Sequence, residues 1–214
     1  RPLMDPAESP ATDRLALTPA LAVGVPAILV LAALPFVRIA DGTSIPSLSL
    51  FLGRFHPILL HLPVALLLLA LLLEAIRLPR LARVAPSFPA IVLDSVLWLA
   101  AISGCAAAIA GWLLSHEGGY DAPLLERHLW SGVATAIGAC ACVVLRSLAQ
   151  AQLDRPALRR VATALVVATC GTMILAAHAG DNPDATWEPS VRELRPLADL
   201  IEKYFCGAVK HFSV

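Results

Sequence analysis

Residues 55–73 read FHPILLHLPVALLLLALLL, which is 19 consecutive residues without Asp, Glu, Lys or Arg. A helix needs roughly 20 apolar residues to cross the hydrocarbon core of a bilayer, so this segment is long enough to span a membrane. Leu and Ala predominate, and the alternation of apolar and polar residues that marks a barrel strand is absent. The segment therefore predicts a transmembrane helix that carries two histidines and two prolines.

Four more uncharged runs of similar length lie on either side of this segment. They contain 23, 22, 18 and 20 residues and cover residues 15–37, 95–116, 128–145 and 161–180. The whole chain of 214 residues is 58% hydrophobic and 15% charged, a composition that does not suit a soluble surface. We predict an all-α integral membrane protein with five transmembrane helices, the last four of which form a helical bundle.

The runs divide the chain into four parts. We expect a flexible cytoplasmic leader, an extra N-terminal transmembrane helix, a four-helix transmembrane core and an exterior, periplasmic tail, at residues 1–14, 15–37, 50–181 and 182–214. The first run has 23 uncharged residues, which is long for the apolar part of a signal peptide. We therefore expect it to remain as an anchor.

The distribution of arginine predicts the orientation in the membrane. One side carries nine arginines and the loops of the other side carry three; the nine are Arg1, Arg14, Arg77, Arg80, Arg83, Arg146, Arg155, Arg159 and Arg160. Because cytoplasmic loops are enriched in basic residues, the N-terminus is predicted to be cytoplasmic and the tail periplasmic, in a bacterial inner membrane. The apolar composition makes the lipid bilayer an expected partner. Basic and acidic residues balance at 16 each, so nucleic acid is not an expected partner.

Five of the six histidines fall at the predicted exterior ends of the helices, namely His56, His61, His116, His128 and His178. An ionisable side chain within a span is costly and is by default a candidate functional residue. His61 is the strongest case, about 9 Å beyond the start of its uncharged run at 1.5 Å per residue. The alternative is a packed or interfacial histidine, and for His116 and His128 that alternative has equal weight.

The spacing of His56 and His61 bears on the chemistry. Five residues correspond to about 140° of rotation and 7.5 Å of rise along a helix, so the two rings are expected to face different neighbours. One small metal ion held by both is disfavoured. Pro57 suits a first helical turn, whereas Pro63 is expected to bend the helix near His61.

Haem b fits these residues better than zinc or copper, because it takes axial ligands from facing helices and needs no fixed motif. Small residues in the runs 95–116 and 128–145 would leave room for a planar cofactor, although ordinary small-residue packing explains them equally well. Arg54 and Arg127 precede His56 and His128, where they would pair with haem propionates or act as snorkelling anchors. The chain has no CxxCH motif, so covalently attached haem is not predicted.

Four segments of the chain resemble a known bacterial family. They are GRFHPILLHLP at residues 53–63, GW at 111–112 with GGYD at 118–121, HLWSG at 128–132, and HAG at 178–180. The family comprises predicted four-helix membrane proteins of unknown function with a double His-Pro motif, often fused to or encoded with planctomycete-type cytochrome c domains. The resemblance covers about residues 50–181 and implies a four-histidine core and an association with electron-transfer chains. The histidines of that core are His56, His61, His128 and His178.

Our leading hypothesis is a b-type cytochrome subunit that carries electrons between a quinone pool and a periplasmic redox partner. The four core histidines would ligate one or two haems, and the spacing does not pair them. Such a protein is an electron-transfer subunit of an oxidoreductase complex, with other membrane or periplasmic cytochrome subunits as partners, rather than a free-standing enzyme. The alternatives are a cofactor-free subunit that scaffolds a larger membrane complex, and a protein with a copper or zinc site.

Overall fold

The computed structural model describes residues 10–37, 46–78, 88–116, 122–152 and 156–181. All of the described residues belong to one compact unit. The predicted periplasmic tail and the first nine residues of the predicted leader lie outside the described residues.

The described residues are almost entirely helical and contain no strand. In the described residues, six α-helices and one short 3-10 helix follow one another. They are α1 (Pro10–Ala33), the 3-10 helix (Leu34–Phe36), α2 (Ser47–Gly53), α3 (His56–Ile76), α4 (Ala90–Leu114), α5 (Ala122–Ala151) and α6 (Pro156–Asp181).

Five helical segments are long and apolar enough to cross a membrane: Leu17–Phe36, Leu48–Ile76, Ala90–Leu114, Pro123–Ala151 and Ala157–Ala177. Large apolar side chains also cover the outer surface, among them Leu29 and Ile91, each 65% exposed, and Ile58, 70% exposed. Such a surface suits lipid rather than water. The prediction of an all-α membrane protein with five transmembrane helices is therefore confirmed.

The last four spans form a bundle in which each helix packs against its neighbours in the chain, and α6 closes the ring against α3. The first span lies outside this ring and packs mainly on α5. Ala20 and Leu31 of α1 are almost fully buried in that contact region. The second span is interrupted after Gly53, and α3 then begins at His56 with Pro57 in its first turn.

Several glycines among the described residues mark places where helices approach too closely for a side chain, and Gly53 and Gly138 are two of them. A Cβ atom at Gly53 of α2 would lie 2.8 Å from the backbone nitrogen of Leu114 in α4. A Cβ atom at Gly138 of α5 would likewise overlap the side chain of Thr169 in α6. Close approach of this kind is typical of helix packing in membranes. There the helices associate mainly through van der Waals contacts, and small residues allow these contacts to form.

The second, third and fourth spans extend further than the uncharged runs predicted, because charged residues are incorporated into the helices. Glu74 lies inside α3, Asp94 inside α4 and Arg146 inside α5. A search for uncharged runs ends at each of these residues. The helices continue past them because the charged side chains pair with one another across the bundle.

Candidate functional site

A cavity lies inside the bundle, between α3, α4, α5 and α6. It has a volume of about 130 Å³ and extends along α3 from His56 to Leu67, about 16 Å at 1.5 Å per residue. Its walls are apolar, and small residues form much of the α4 and α5 sides: Gly104, Ala107, Ala108, Gly111, Gly132 and Ala136. Small side chains on facing helices create the space, and two histidines lie at one end of it.

His56 is held against α4. Its Nδ1 atom lies 2.8 Å from the carbonyl oxygen of Ala107, and its ring lies directly over Gly111. A carbonyl oxygen only accepts hydrogen bonds, so Nδ1 carries the proton, and in the neutral ring the lone pair is on Nε2. This Nε2 atom is buried and has no hydrogen-bond partner among the described residues.

His128 lines the same cavity from α5. Its Nδ1 atom lies 3.1 Å from the carbonyl oxygen of Ala176 in α6, so this ring too has its proton on Nδ1. The ring centroids of His56 and His128 are 6.0 Å apart, and the ring planes are nearly perpendicular at 89°. The fold therefore brings together two histidines that are 72 residues apart in the chain, each with a hydrogen-bonded Nδ1.

His61 is not brought to this cavity. Its side chain is exposed, and its Nδ1 atom lies 2.7 Å from the carbonyl oxygen of Pro57, one turn earlier in α3. The physical reason is the five-residue spacing, which turns His61 away from the face of α3 on which His56 lies. His61, the histidine with the strongest argument from sequence, therefore lies on a face of α3 that does not line the cavity.

The other candidate residues are distributed around the same end of the bundle. His178 lies in the last turn of α6, but its side chain lies outside the described residues. Arg54 and Arg127 have exposed side chains and do not line the cavity. His116 follows α4, and its Nδ1 atom lies 2.8 Å from the carbonyl oxygen of Trp112.

The donor set in the cavity limits the metal chemistry. In the part of the chain that the structure describes, no group of three or more His, Cys, Asp or Glu side chains could hold a metal ion. Structural zinc takes four protein ligands and catalytic zinc takes three. Haem iron needs only axial ligands from the protein, because the macrocycle supplies the others. The two imidazoles match the number of axial ligands that a haem iron takes from a protein.

A second polar cluster joins the four core helices far from the histidines, and sequence reasoning missed it. Arg146 of α5 donates to Asp94 of α4 through Nε, and its Nη1 atom lies 3.3 Å from Glu74 Oε1 in α3. The hydroxyl of Thr163 in α6 lies 3.0 Å from Glu74 Oε2, and Gln150 Nε2 donates to Asp94 Oδ2 over 2.7 Å. The signal in the sequence is that Glu74, Asp94 and Arg146 each border an uncharged run, all on the predicted cytoplasmic side.

This cluster has a structural explanation. Glu74 is only 7% exposed, and a buried carboxylate is costly unless it is paired and hydrogen-bonded. The neighbouring Arg77 lies over the ring of Phe88 at 4.9 Å. Burial and the charge of Arg146 lower the pKa of the Arg77 guanidinium, and Glu74 and Asp94 oppose that shift. The cluster thus compensates charge within the bundle and links the four core helices.

Comparison with protein-family models, with curated proteins and with solved structures finds no match. The resemblance to the four-helix bacterial family therefore depends on the segments quoted from the sequence.

Proposed function

We propose that the protein is a membrane-embedded b-type cytochrome subunit in which His56 and His128 ligate one haem b. The observation that carries this proposal is the Nε2 atom of His56, which is buried at the end of the cavity without a hydrogen-bond partner among the described residues. A buried nitrogen lone pair of this kind is costly unless something binds it. A metal ion in the cavity would satisfy it.

The hydrogen bonds of both rings support this assignment. A histidine that binds a metal almost always donates its other ring N–H to a carboxylate, a backbone carbonyl or water, which fixes the tautomer and the ring orientation. The carbonyl oxygens of Ala107 and Ala176 provide this for His56 and His128 respectively. In its neutral form each ring therefore carries the lone pair on Nε2, the atom that would bind the iron.

The distance between the imidazole rings of His56 and His128 also supports the proposal that both bind one iron. Imidazole nitrogens bind first-row metals at about 2 Å, so an ion midway between two imidazoles puts their centroids roughly 6 Å apart. The centroids of His56 and His128 are separated by 6.0 Å. The two residues come from α3 and α5, which lie on opposite sides of the ring of four helices.

The apolar wall of the cavity supports the binding of a mostly apolar cofactor. The cavity volume of about 130 Å³ is close to that of the engineered cavity of about 150 Å³ that holds benzene. A full macrocycle would require the helices around the cavity to separate. We therefore expect haem to bind during assembly and to stabilise the bundle, as a ligand specific to the folded state does.

A bound haem b would supply one-electron redox chemistry. The residues of this chain would hold the two imidazoles in one tautomer and exclude water with an apolar wall. We further propose that a quinone in the bilayer and a separate periplasmic cytochrome subunit are the redox partners. The excess of arginine on the opposite side supports a cytoplasmic N-terminus and a haem near the periplasmic face. The resemblance to a family encoded with cytochrome c domains points to the same partners.

The test is a dithionite-reduced minus oxidised spectrum with a pyridine haemochrome assay, on detergent-purified protein expressed with sufficient haem. We expect a b-type band with one haem per chain, lost in His56→Ala and in His128→Ala and retained in His116→Ala. Folded, helical wild-type protein without a haem band would refute the proposal. In that case elemental analysis for copper and zinc separates a metal-site protein from a cofactor-free scaffold.

A further inference from the structure

We infer that the turn of α4 from Ala107 to Gly111 is a positioning element for the His56 imidazole, and that Gly111 is its essential residue. The inference rests on the proposed function, because the ring it positions is the proposed axial ligand. It concerns a residue that is not itself a ligand and would act only through His56.

The steric evidence is direct. A Cβ atom built on Gly111 would lie 2.8 Å from Cε1, 2.9 Å from Nδ1 and 3.3 Å from Nε2 of His56. Cβ atoms essentially never come within 3.0 Å of another heavy atom outside their own chain neighbours, so a side chain at this position would displace the ring. His56 occupies the space that a side chain of residue 111 would need.

The polar evidence comes from the same turn of α4. The carbonyl oxygen of Ala107, four residues before Gly111, accepts the Nδ1 hydrogen of His56 over 2.8 Å. One helical turn therefore supplies both the hydrogen-bond acceptor that selects the tautomer and the gap in which the ring lies. Together they leave Nε2 as the nitrogen that is free for a ligand.

Gly111 differs from Gly53 in what surrounds it. The three atoms nearest to its Cβ position all belong to one imidazole, whereas those nearest to Gly53 are backbone atoms of α4. Gly111→Ala is therefore expected to move a side chain without separating two helices. Gly171 of α6 provides a matched control, because no atom lies within 4 Å of its Cβ position and it does not line the cavity.

The first experiment is a haem titration of the purified apoprotein. Changes to groups that orient a metal ligand typically weaken metal affinity about 10- to 100-fold. We expect a loss of that size in Gly111→Ala and wild-type affinity in Gly171→Ala, with an altered low-spin electron paramagnetic resonance signal in the haem that Gly111→Ala retains. Equal affinity and equal spectra in wild type and Gly111→Ala would overturn the inference.

The second experiment needs no haem. In ¹⁵N-histidine NMR spectra of the apoprotein, we expect the His56 resonance to report a proton on Nδ1 in wild type and in Gly171→Ala, and to change in Gly111→Ala. Thermal unfolding measures whether the effect of Gly111→Ala depends on His56. Gly111→Ala should lower the unfolding midpoint in wild type but not in His56→Ala, where no ring occupies the Cβ position and Ala is favoured over Gly within a helix. An equal decrease in both backgrounds would show that Gly111 serves helix packing and would overturn the inference.

The two experiments separate the possible failures. Protein that binds no haem, yet shows the NMR change and the dependence of the unfolding midpoint on His56, would refute the proposed function and leave the positioning role in place. Protein that binds haem with wild-type affinity in Gly111→Ala would refute the positioning role alone.

Discussion

His56 and His61 lie five residues apart on the same helix, yet only His56 faces the helices that pack against α3. The Nδ1 hydrogen of His56 is donated to the carbonyl oxygen of Ala107 on another helix. That of His61 is donated to the carbonyl oxygen of Pro57 in its own helix. The two rings are alike in chemistry, but only the ring of His56 enters the cavity.

This difference predicts unequal effects of substitution. His61→Ala should retain the b-type spectrum that His56→Ala loses, because the His61 side chain is exposed outside the cavity. The measurement is haem content per folded protein, by pyridine haemochrome assay and circular dichroism of the same samples. Loss of haem in His61→Ala with full helicity would show that the assigned ligand pair is wrong.

Arg146 is the residue on which the second polar cluster depends. Its replacement by Met would leave the carboxylates of Glu74 and Asp94 without their cation, and removing one member of a buried ion pair typically costs about 3–5 kcal/mol. We expect a lower free energy of unfolding, towards the lower end of that range because Asp94 is 22% exposed. Equilibrium unfolding in mixed detergent micelles would measure it.

The matched control for this prediction removes the charges together. A triple variant, Glu74→Gln, Asp94→Asn and Arg146→Met, removes the three paired charges together, and such replacements are often neutral or stabilising. Its unfolding free energy should recover much of what Arg146→Met loses. A triple variant as unstable as the single variant would show that the cluster contributes more than charge compensation.

Gly138 is expected to tolerate no side chain. A Cβ atom there would lie 2.9 Å from Cγ2 of Thr169, which is buried and donates to the carbonyl oxygen of Leu165. Overpacking of this kind typically costs about 1–3 kcal/mol. Gly138→Ala should therefore lower the midpoint of unfolding.

Gly171→Ala is the control for Gly138→Ala, since the Cβ position of Gly171 is open. Replacing Gly by Ala inside a helix is stabilising by roughly 0.5–1 kcal/mol when space allows. The two variants should thus shift the midpoint in opposite directions, and an equal shift in both would contradict the packing of α5 on α6.

The orientation is testable with reporter fusions. Nine arginines on one side against three in the loops of the other predict a cytoplasmic N-terminus and, across five spans, a periplasmic C-terminus. Alkaline phosphatase fused after Val214 should be active, and green fluorescent protein fused there should be dark. The reverse pattern would place the histidines at the cytoplasmic face and exclude a periplasmic redox partner.

The number and type of the spans followed from the sequence alone. In a bilayer the backbone of an apolar run must satisfy its hydrogen bonds internally, so a run of about 20 residues forms a helix whatever its neighbours are. The residues at which the helices begin and end could be predicted less well from the sequence. Glu74, Asp94 and Arg146 interrupt the uncharged runs, and only their contacts across the bundle explain why the helices continue through them.

One part of the candidate site could be predicted from the sequence, and the other part depended on tertiary structure. Helical geometry was enough to predict that His56 and His61 face different neighbours, because their rotation is a local property of one helix. The pairing of His56 with His128, 72 residues later, was not accessible from the sequence. It depends on which helices adjoin and on how each is rotated about its axis, and long-range packing sets both. The gap at Gly111 and the carbonyl acceptor at Ala107 likewise have meaning only once α4 lies against α3, so tertiary structure alone distinguished the histidine in the cavity from the histidine outside it.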